Sequence, residues 1–174
     1  MAPSIDRRGA PLLAVLVACS PALDWREVRV DGDALVAQFP CRPDRRIREV
    51  PLAGARVRME MVACSTGGMT FAASHFAVDE PANVATAMAA LKAATVANVG
   101  GASPQSVPFE LRGMTPNPAA ARLSVAGRLP GGEAVRLSSV FLSRGLRIYQ
   151  LSVVGPASSS SAADTFFAGM GFKR

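Results

Sequence analysis

The stretch ARLSVAGRLPGGEAVRLSSVFLSRGLRIYQLSVV, residues 121–154, gives the clearest indication of the fold. It contains three apolar-rich runs, residues 121–129, 134–142 and 146–154, each of strand length. The turn sequences PGG and SRG separate the runs, and glycine-containing turns of this length join antiparallel neighbours. The stretch therefore predicts three consecutive antiparallel strands.

The same pattern recurs earlier in the chain. In residues 55–64, Val57, Met59 and Met61 alternate with charged side chains. Because side chains on a strand point alternately to its two faces, this alternation predicts a long strand with one apolar face and one charged face. Further strands are predicted at residues 25–30, 34–39, 47–50, 69–78 and 105–112.

Two segments have helical rather than strand patterns. The first follows Asp79, a predicted N-cap, and ends before Gly100. Glycine readily adopts the left-handed conformation that ends many helices. The second follows the serines at 158–161 and places Phe166 and Phe167 on its core face. We therefore expect an α+β fold, an antiparallel β-sheet of about 6–8 strands with two helices packed on it. The apolar stripe of the first helix is Val84, Met88, Leu91 and Thr95.

Several short motifs resemble those of one known family. They are FPxxP at residues 39–43, YQLxVxGP at 149–156, FF at 166–167, and Phe172. Together they are similar to small exported bacterial domains of the PsbP-like α/β/α superfamily. The resemblance implies a binding or assembly module rather than an enzyme, and it implies no catalytic residue.

The N-terminus carries a second resemblance. Two arginines at 7–8 precede a short apolar run that ends in the sequence LVAC at 16–19. A basic start, an apolar middle and small residues before a cleavage point are typical of a secretory signal. The cysteine makes the segment similar to the lipobox of bacterial lipoproteins. The alternatives are a plain signal peptide and a buried N-terminal helix with an incidental cysteine.

The lipobox resemblance implies specific roles. Leu16, Val17 and Ala18 would be recognised by the signal peptidase, and Cys19 would become the acylated first residue that anchors the protein in membrane lipid. In this family Ser20, in place of aspartate, implies transport to the outer membrane, with the protein facing the periplasm. The organisation expected is a signal peptide at residues 1–18, an acylated tether at 19–24 and a single α+β domain at 25–174.

Cysteine usage then bears on the compartment. With Cys19 acylated, Cys41 and Cys64 remain as an even pair, which in an oxidising compartment indicates a disulfide. Two free buried thiols are the alternative. Two cysteines and the single histidine are too few for a closed tetrahedral zinc site, so we expect neither a metal nor another cofactor.

The chain has a formal net charge of +6 and one concentrated group of arginines. On a single hairpin this group would present a basic surface to anionic lipid or to an acidic envelope protein. The alternative is an ordinary solvated strand face. Nucleic acid is not an expected partner, because the chain is expected to be exported and has one Trp and one Tyr for stacking. The arginines are Arg42, Arg45, Arg46, Arg48, Arg56 and Arg58.

His75, the only histidine, lies inside a predicted strand, and the chain contains no nucleophile-elbow sequence. A partly buried sheet histidine is therefore the favoured interpretation, and we predict no catalytic residue. The function expected is that of a periplasm-facing outer-membrane lipoprotein acting as a non-catalytic binding or assembly module. The alternatives are an envelope enzyme or its accessory subunit, with a pocket at His75, and a carrier of an apolar ligand, with a cavity between the first helix and the sheet.

Overall fold

A computed structural model describes residues 23–32 and 34–173. The predicted signal peptide, Cys19 and Ser20 lie outside the described residues. In the described ranges, a run of five strands precedes the first α-helix, and a run of four strands precedes the second. Such runs are typical of α+β folds. The elements are β1 (Arg26–Asp31), β2 (Leu35–Phe39), β3 (Asp44–Leu52), β4 (Ala55–Thr66), β5 (Met69–Ala77), α1 (Asn83–Ala97), β6 (Gln105–Pro108), β7 (Ala121–Arg128), β8 (Ala134–Arg144), β9 (Arg147–Gly155), α2 (Ser160–Ala168) and β10 (Gly171–Phe172).

The strands form two antiparallel sheets. One has seven strands in the order β3-β4-β5-β9-β8-β7-β6, and the other has three in the order β1-β2-β10. The α+β class, the antiparallel sheet of the expected size and the two helices are confirmed. The second sheet was not foreseen, because β10 has only two residues and pairs with β2 through Gly171 and Phe172.

Both faces of the seven-stranded sheet are apolar at its centre, so both must be covered. In β9, Tyr149, Leu151 and Val153 point towards the three-stranded sheet and α2, whereas Ile148 points towards α1. Burying each such side chain contributes about 1.5–3 kcal/mol. The fold is therefore layered, with α1 on one side of the large sheet and the small sheet with α2 on the other.

Aromatic side chains fill the layer between the two sheets. The Phe166 ring of α2 lies edge-on to Phe39 of β2, with ring centroids 5.0 Å apart, and to Phe71 of β5, at 5.4 Å. Trp25 packs edge-on against the same Phe71 ring at 6.0 Å. Phe166 and Phe167 are both buried, as the sequence predicted for the core face of the second helix.

Helix α1 has the predicted core stripe but begins later than predicted. Val84, Met88, Leu91 and Thr95 are all buried. The prediction that Asp79 caps the helix was wrong: the N-cap is Ala82, and no side chain caps it. The chain enters the helix through tight backbone turns instead, with the N–H of residue 83 donating to the carbonyl of residue 80 at 3.1 Å.

A disulfide joins Cys41 to Cys64, with Cα atoms 6.0 Å apart. It ties the segment between β2 and β3 to β4, and thereby links the small sheet to the large one. The predicted disulfide is confirmed, and the alternative of two free thiols is excluded. The two cysteines are 23 positions apart in the sequence.

Removing the bridge should destabilise the fold. For a closed loop of about 24 residues the chain-entropy model gives about 3.5 kcal/mol. In a Cys19→Ala background, the double variant Cys41→Ala/Cys64→Ala should therefore lose about that much free energy of unfolding, measured in guanidinium chloride. Reductant should lower the midpoint of the parent protein and leave that of the double variant unchanged. Equal midpoints for parent and variant would contradict the expectation.

Candidate functional site

The hairpin of β3 and β4 carries the predicted arginine group on both of its faces. Side chains alternate along a strand, so Arg46 and Arg48 of β3 lie on the face that carries α1, and Arg45 lies on the face that meets β1. In β4, Arg58 is directly opposite Glu49 and points to the same side as Arg45. The arginines therefore do not form one surface.

Arg45 connects the two sheets through hydrogen bonds. Its guanidinium donates to the carbonyl oxygens of Val30, at 3.1 Å, and Arg29, at 2.6 Å. Glu60 lies 4.0 Å from the same group. Two of the five N–H donors of this guanidinium therefore bond to β1 and fix its position between the sheets.

The other arginines on that side have nearby carboxylates. Arg56 lies 3.9 Å from Glu49, and Arg58 lies 4.0 Å from Glu60. Both arginines are exposed and Glu60 is only half-buried, so these pairs contribute little to stability. With Arg45, this side of the hairpin has three arginines and two glutamates, a net charge of +1. Arg42 lies outside the hairpin, in the segment between β2 and β3, and is exposed.

The α1 side of the hairpin borders an open groove, which we call the helix-side groove. It consists of a cavity of about 500 Å³ over β3 and β4 and a cavity of about 450 Å³ between these strands and α1. Both cavities are lined by Arg48, Val50, Met59 and Met61, so they adjoin. Volumes of this size are typical of ligand sites, at about 300–1,000 Å³.

The groove is open because one helix cannot cover the whole sheet. An α-helix with side chains is about 10 Å wide, whereas a sheet of seven strands is about 29 Å wide. Helix α1 packs in one core with Phe141 and Ile148 at the middle of the sheet and with Leu52 at the end of β3. The rest of β3 and β4 is left uncovered, and Met61 there is 38% exposed.

A polar network lies beside the apolar lining, at the end of the groove beneath α1. Gln150 donates through Nε2 to the hydroxyl oxygens of Thr95, at 3.0 Å, and Ser152, at 2.9 Å. The hydroxyls of Ser152 and Ser139 are 2.7 Å apart, and Thr95 donates to the carbonyl of Leu91 at 2.7 Å. Sequence analysis did not single out this network, although serines inside apolar strands were a usable signal.

At the other end of the groove stand two arginines. Within residues 23–32 and 34–173, the ion pairs include neither Arg46 nor Arg48. Asp44 lines the same cavity, two positions along β3 from Arg46. This rim therefore has one acidic and two basic side chains, and it is net positive.

On the opposite face of the large sheet lies a partly buried inter-sheet cluster, in which His75 and Tyr149 are buried and Arg147 is exposed. Its other members are Asp31 and Glu60. Tyr149 donates its hydroxyl to Asp31 Oδ2 at 2.8 Å, and Arg147 pairs with the same carboxylate. His75 Nε2 lies 3.9 Å from Asp31 Oδ1 and 3.8 Å from Glu60 Oε2. Asp31 ends β1 and joins the two sheets.

The cluster has the properties of a structural contact. The His75 side chain is 7% exposed and lines neither cavity of the groove. Ser74, the neighbouring hydroxyl, points to the other face of the strand, so the His75 imidazole cannot accept its proton. Burial and acceptance by Asp31 raise the pKa of Tyr149 well above its usual value, which keeps the hydroxyl protonated.

Among the described residues, no group of three or more His, Cys, Asp or Glu side chains is placed to hold a metal ion. In the same part of the chain, neither helix is long and apolar enough to cross a membrane. A scan against protein-family models and a search of curated proteins each found no match to this chain.

The buried histidine should make stability depend on pH. Burial lowers the pKa of His75 below 6.5, against the opposing effect of Asp31 and Glu60. As the pH falls below 6.5, the unfolded chain takes up a proton before the folded protein does, so the free energy of unfolding should fall. The slope from this group is at most about 1.4 kcal/mol per pH unit.

Urea unfolding from about pH 8 to about pH 5 measures this slope. His75→Gln should remove the part of the decline that begins near pH 6.5 and leave the part due to carboxylates at lower pH. Identical pH profiles for the parent and His75→Gln would show that the imidazole has the same affinity for protons in both states.

Proposed function

We propose that the chain is an exported lipoprotein, acylated at Cys19 and held on the periplasmic side of the outer membrane. Its folded body acts as a non-catalytic binding or assembly module. The helix-side groove is the observation that carries the binding role, because it is lined mostly by apolar side chains and adjoins Arg46 and Arg48. No ion pair among the described residues includes either arginine. The sequence LVAC at 16–19 supports the anchor.

The disulfide supports the export step of the proposal. Bridges such as Cys41–Cys64 form and persist in oxidising compartments and are rare in the reducing cytosol. A protein destined for the periplasm would gain the stability of the closed loop only after export. The signal-like N-terminus and the bridge therefore support the same compartment from separate parts of the sequence.

The start of the folded body supports a position close to the membrane. The backbone N–H of Asp24 donates to the carbonyl of Pro40 at 2.9 Å, and Trp25 packs on Phe71. The proposed tether from Cys19 to Asp24 is therefore five residue steps, or at most about 18 Å when extended. On so short a tether, the groove is within reach of molecules at the lipid surface.

The groove favours binding over catalysis. The hydroxyls and the amide at its inner end bond to one another, so they lack the nucleophile and general base that an acyl- or phosphoryl-transfer site needs. The resemblance of the FPxxP and YQLxVxGP motifs to PsbP-like domains supports a binding or assembly role as well.

A carrier of an apolar ligand is the second candidate function. The specific observation in its favour is the apolar lining between α1 and the sheet, where Leu91 of the helix faces Val50, Met59 and Val154 of the strands. A carrier would take up its ligand at one membrane and release it elsewhere. A fixed assembly module would keep its partner.

Metabolic labelling with radioactive palmitate tests the anchor. The protein should incorporate label, and Cys19→Ala should abolish incorporation because the acceptor sulfur is gone. Cys41→Ala/Cys64→Ala is the matched control and should retain the label, since neither of those sulfurs is the acceptor. A labelled Cys19→Ala variant, or an unlabelled parent found in the cytoplasm with residues 1–18 attached, would contradict the proposal.

A further inference from the structure

We infer that the helix-side groove binds a single acyl chain with an anionic headgroup. The chain lies along the sheet beneath α1, and Arg46 and Arg48 hold the headgroup. The inference rests on the proposed function, because it names the ligand class of the same groove. It differs in its test, which does not depend on whether Cys19 is acylated.

The floor of the helix-side groove is long. It crosses five adjacent strands, in the order β3, β4, β5, β9 and β8. At a spacing of about 4.8 Å between strands, this floor is about 19 Å long. A long, narrow site between a helix and a sheet matches an extended chain better than a compact ring system. The residues that mark it are Arg48, Met59, Ala72, Gln150 and Leu137.

The fold leaves apolar surface open on the floor of the groove. Met61 is 38% exposed on this face, beside Met59 and the half-buried Val50. Contact with an alkyl chain would remove this surface from water. Methionine side chains are unbranched and flexible, so they can adapt to a ligand of variable shape.

The rim of the groove is positively charged. Arg46 and Arg48 adjoin the apolar floor, and no ion pair within the described ranges includes either of them. Guanidinium groups bind phosphate and carboxylate through paired hydrogen bonds. Asp44 on the same rim leaves a net positive charge, and it disfavours ligands that carry several negative groups.

Hydrogen bonds at the inner end of the groove determine the direction of the ligand. At the inner end of the groove, Gln150, Ser152 and Thr95 already bond to one another. A charged headgroup placed there would have to break those bonds. Arg46 and Arg48 stand at the other end, so the headgroup lies at the rim and the chain points inwards.

The test uses the full chain with Cys19→Ala and with ¹³C-labelled methionine methyl groups. Dodecyl phosphate, below its micelle concentration, should shift the methyl signals of Met59 and Met61. The signals of Met88 and Met170, buried in other parts of the two cores, should stay in place. Inorganic phosphate tests the charge without the chain, and dodecyltrimethylammonium tests the chain with a headgroup of the opposite charge. Both should bind at least about tenfold more weakly.

Two pairs of variants locate the site. Arg46→Gln/Arg48→Gln should weaken binding of dodecyl phosphate by about tenfold or more, whereas Arg56→Gln/Arg58→Gln, on the opposite face of the same hairpin, should leave it unchanged. Ala94→Trp fills the groove from the exposed side of α1 and should abolish the shifts. Ala93→Trp, also exposed on α1 but outside the groove lining, should retain them.

The outcomes separate the two proposals. Equal binding of all dodecyl compounds at Met59 and Met61 would overturn the anionic headgroup while supporting the groove as a ligand site. Shifts produced by a hexaglutamate peptide and by no dodecyl compound would overturn the acyl chain and favour an acidic protein partner. Absence of shifts with every probe would overturn the inference and remove the ligand role of the groove, whatever the palmitate experiment shows.

Discussion

The structure depends on one constraint: the large sheet is apolar on both faces, and each face needs its own cover. Tyr149, Leu151 and Val153 of β9 project to one side, where the small sheet and α2 bury them. Ile148 projects to the other, where α1 lies. The disulfide and the inter-sheet cluster both fasten the small sheet, which is the larger of the two covers, to the strands beneath it.

The groove is open because α1 is narrower than the seven-stranded sheet on which it packs. A single helix leaves part of a seven-stranded sheet uncovered, and here the open part adjoins the arginine-bearing edge strand β3. The same alternation that divides the arginines between two faces gives each set a separate role. Arg45 holds β1 in place, while Arg46 and Arg48 stay available beside an apolar floor.

Much of the fold follows from local patterns in the sequence. Alternation and glycine turns predicted the strands, and the stripe from Val84 to Thr95 predicted the buried face of α1. What local patterns could not give depends on contacts between distant segments. The two-residue β10, the late start of α1 at Asn83 and the role of Asp31 all arise from packing against other elements. The groove could not be predicted either, because its opening depends on where α1 crosses the sheet.

Helix α1 covers the middle of the large sheet and leaves part of β3 and β4 uncovered. Attenuation of methionine methyl signals by a soluble paramagnetic agent measures this directly in the free protein. Met61, at 38% exposure, should be strongly attenuated, whereas Met88, at 0%, should be protected. Equal protection of Met61 and Met88 would show that the face is covered, and would contradict the account.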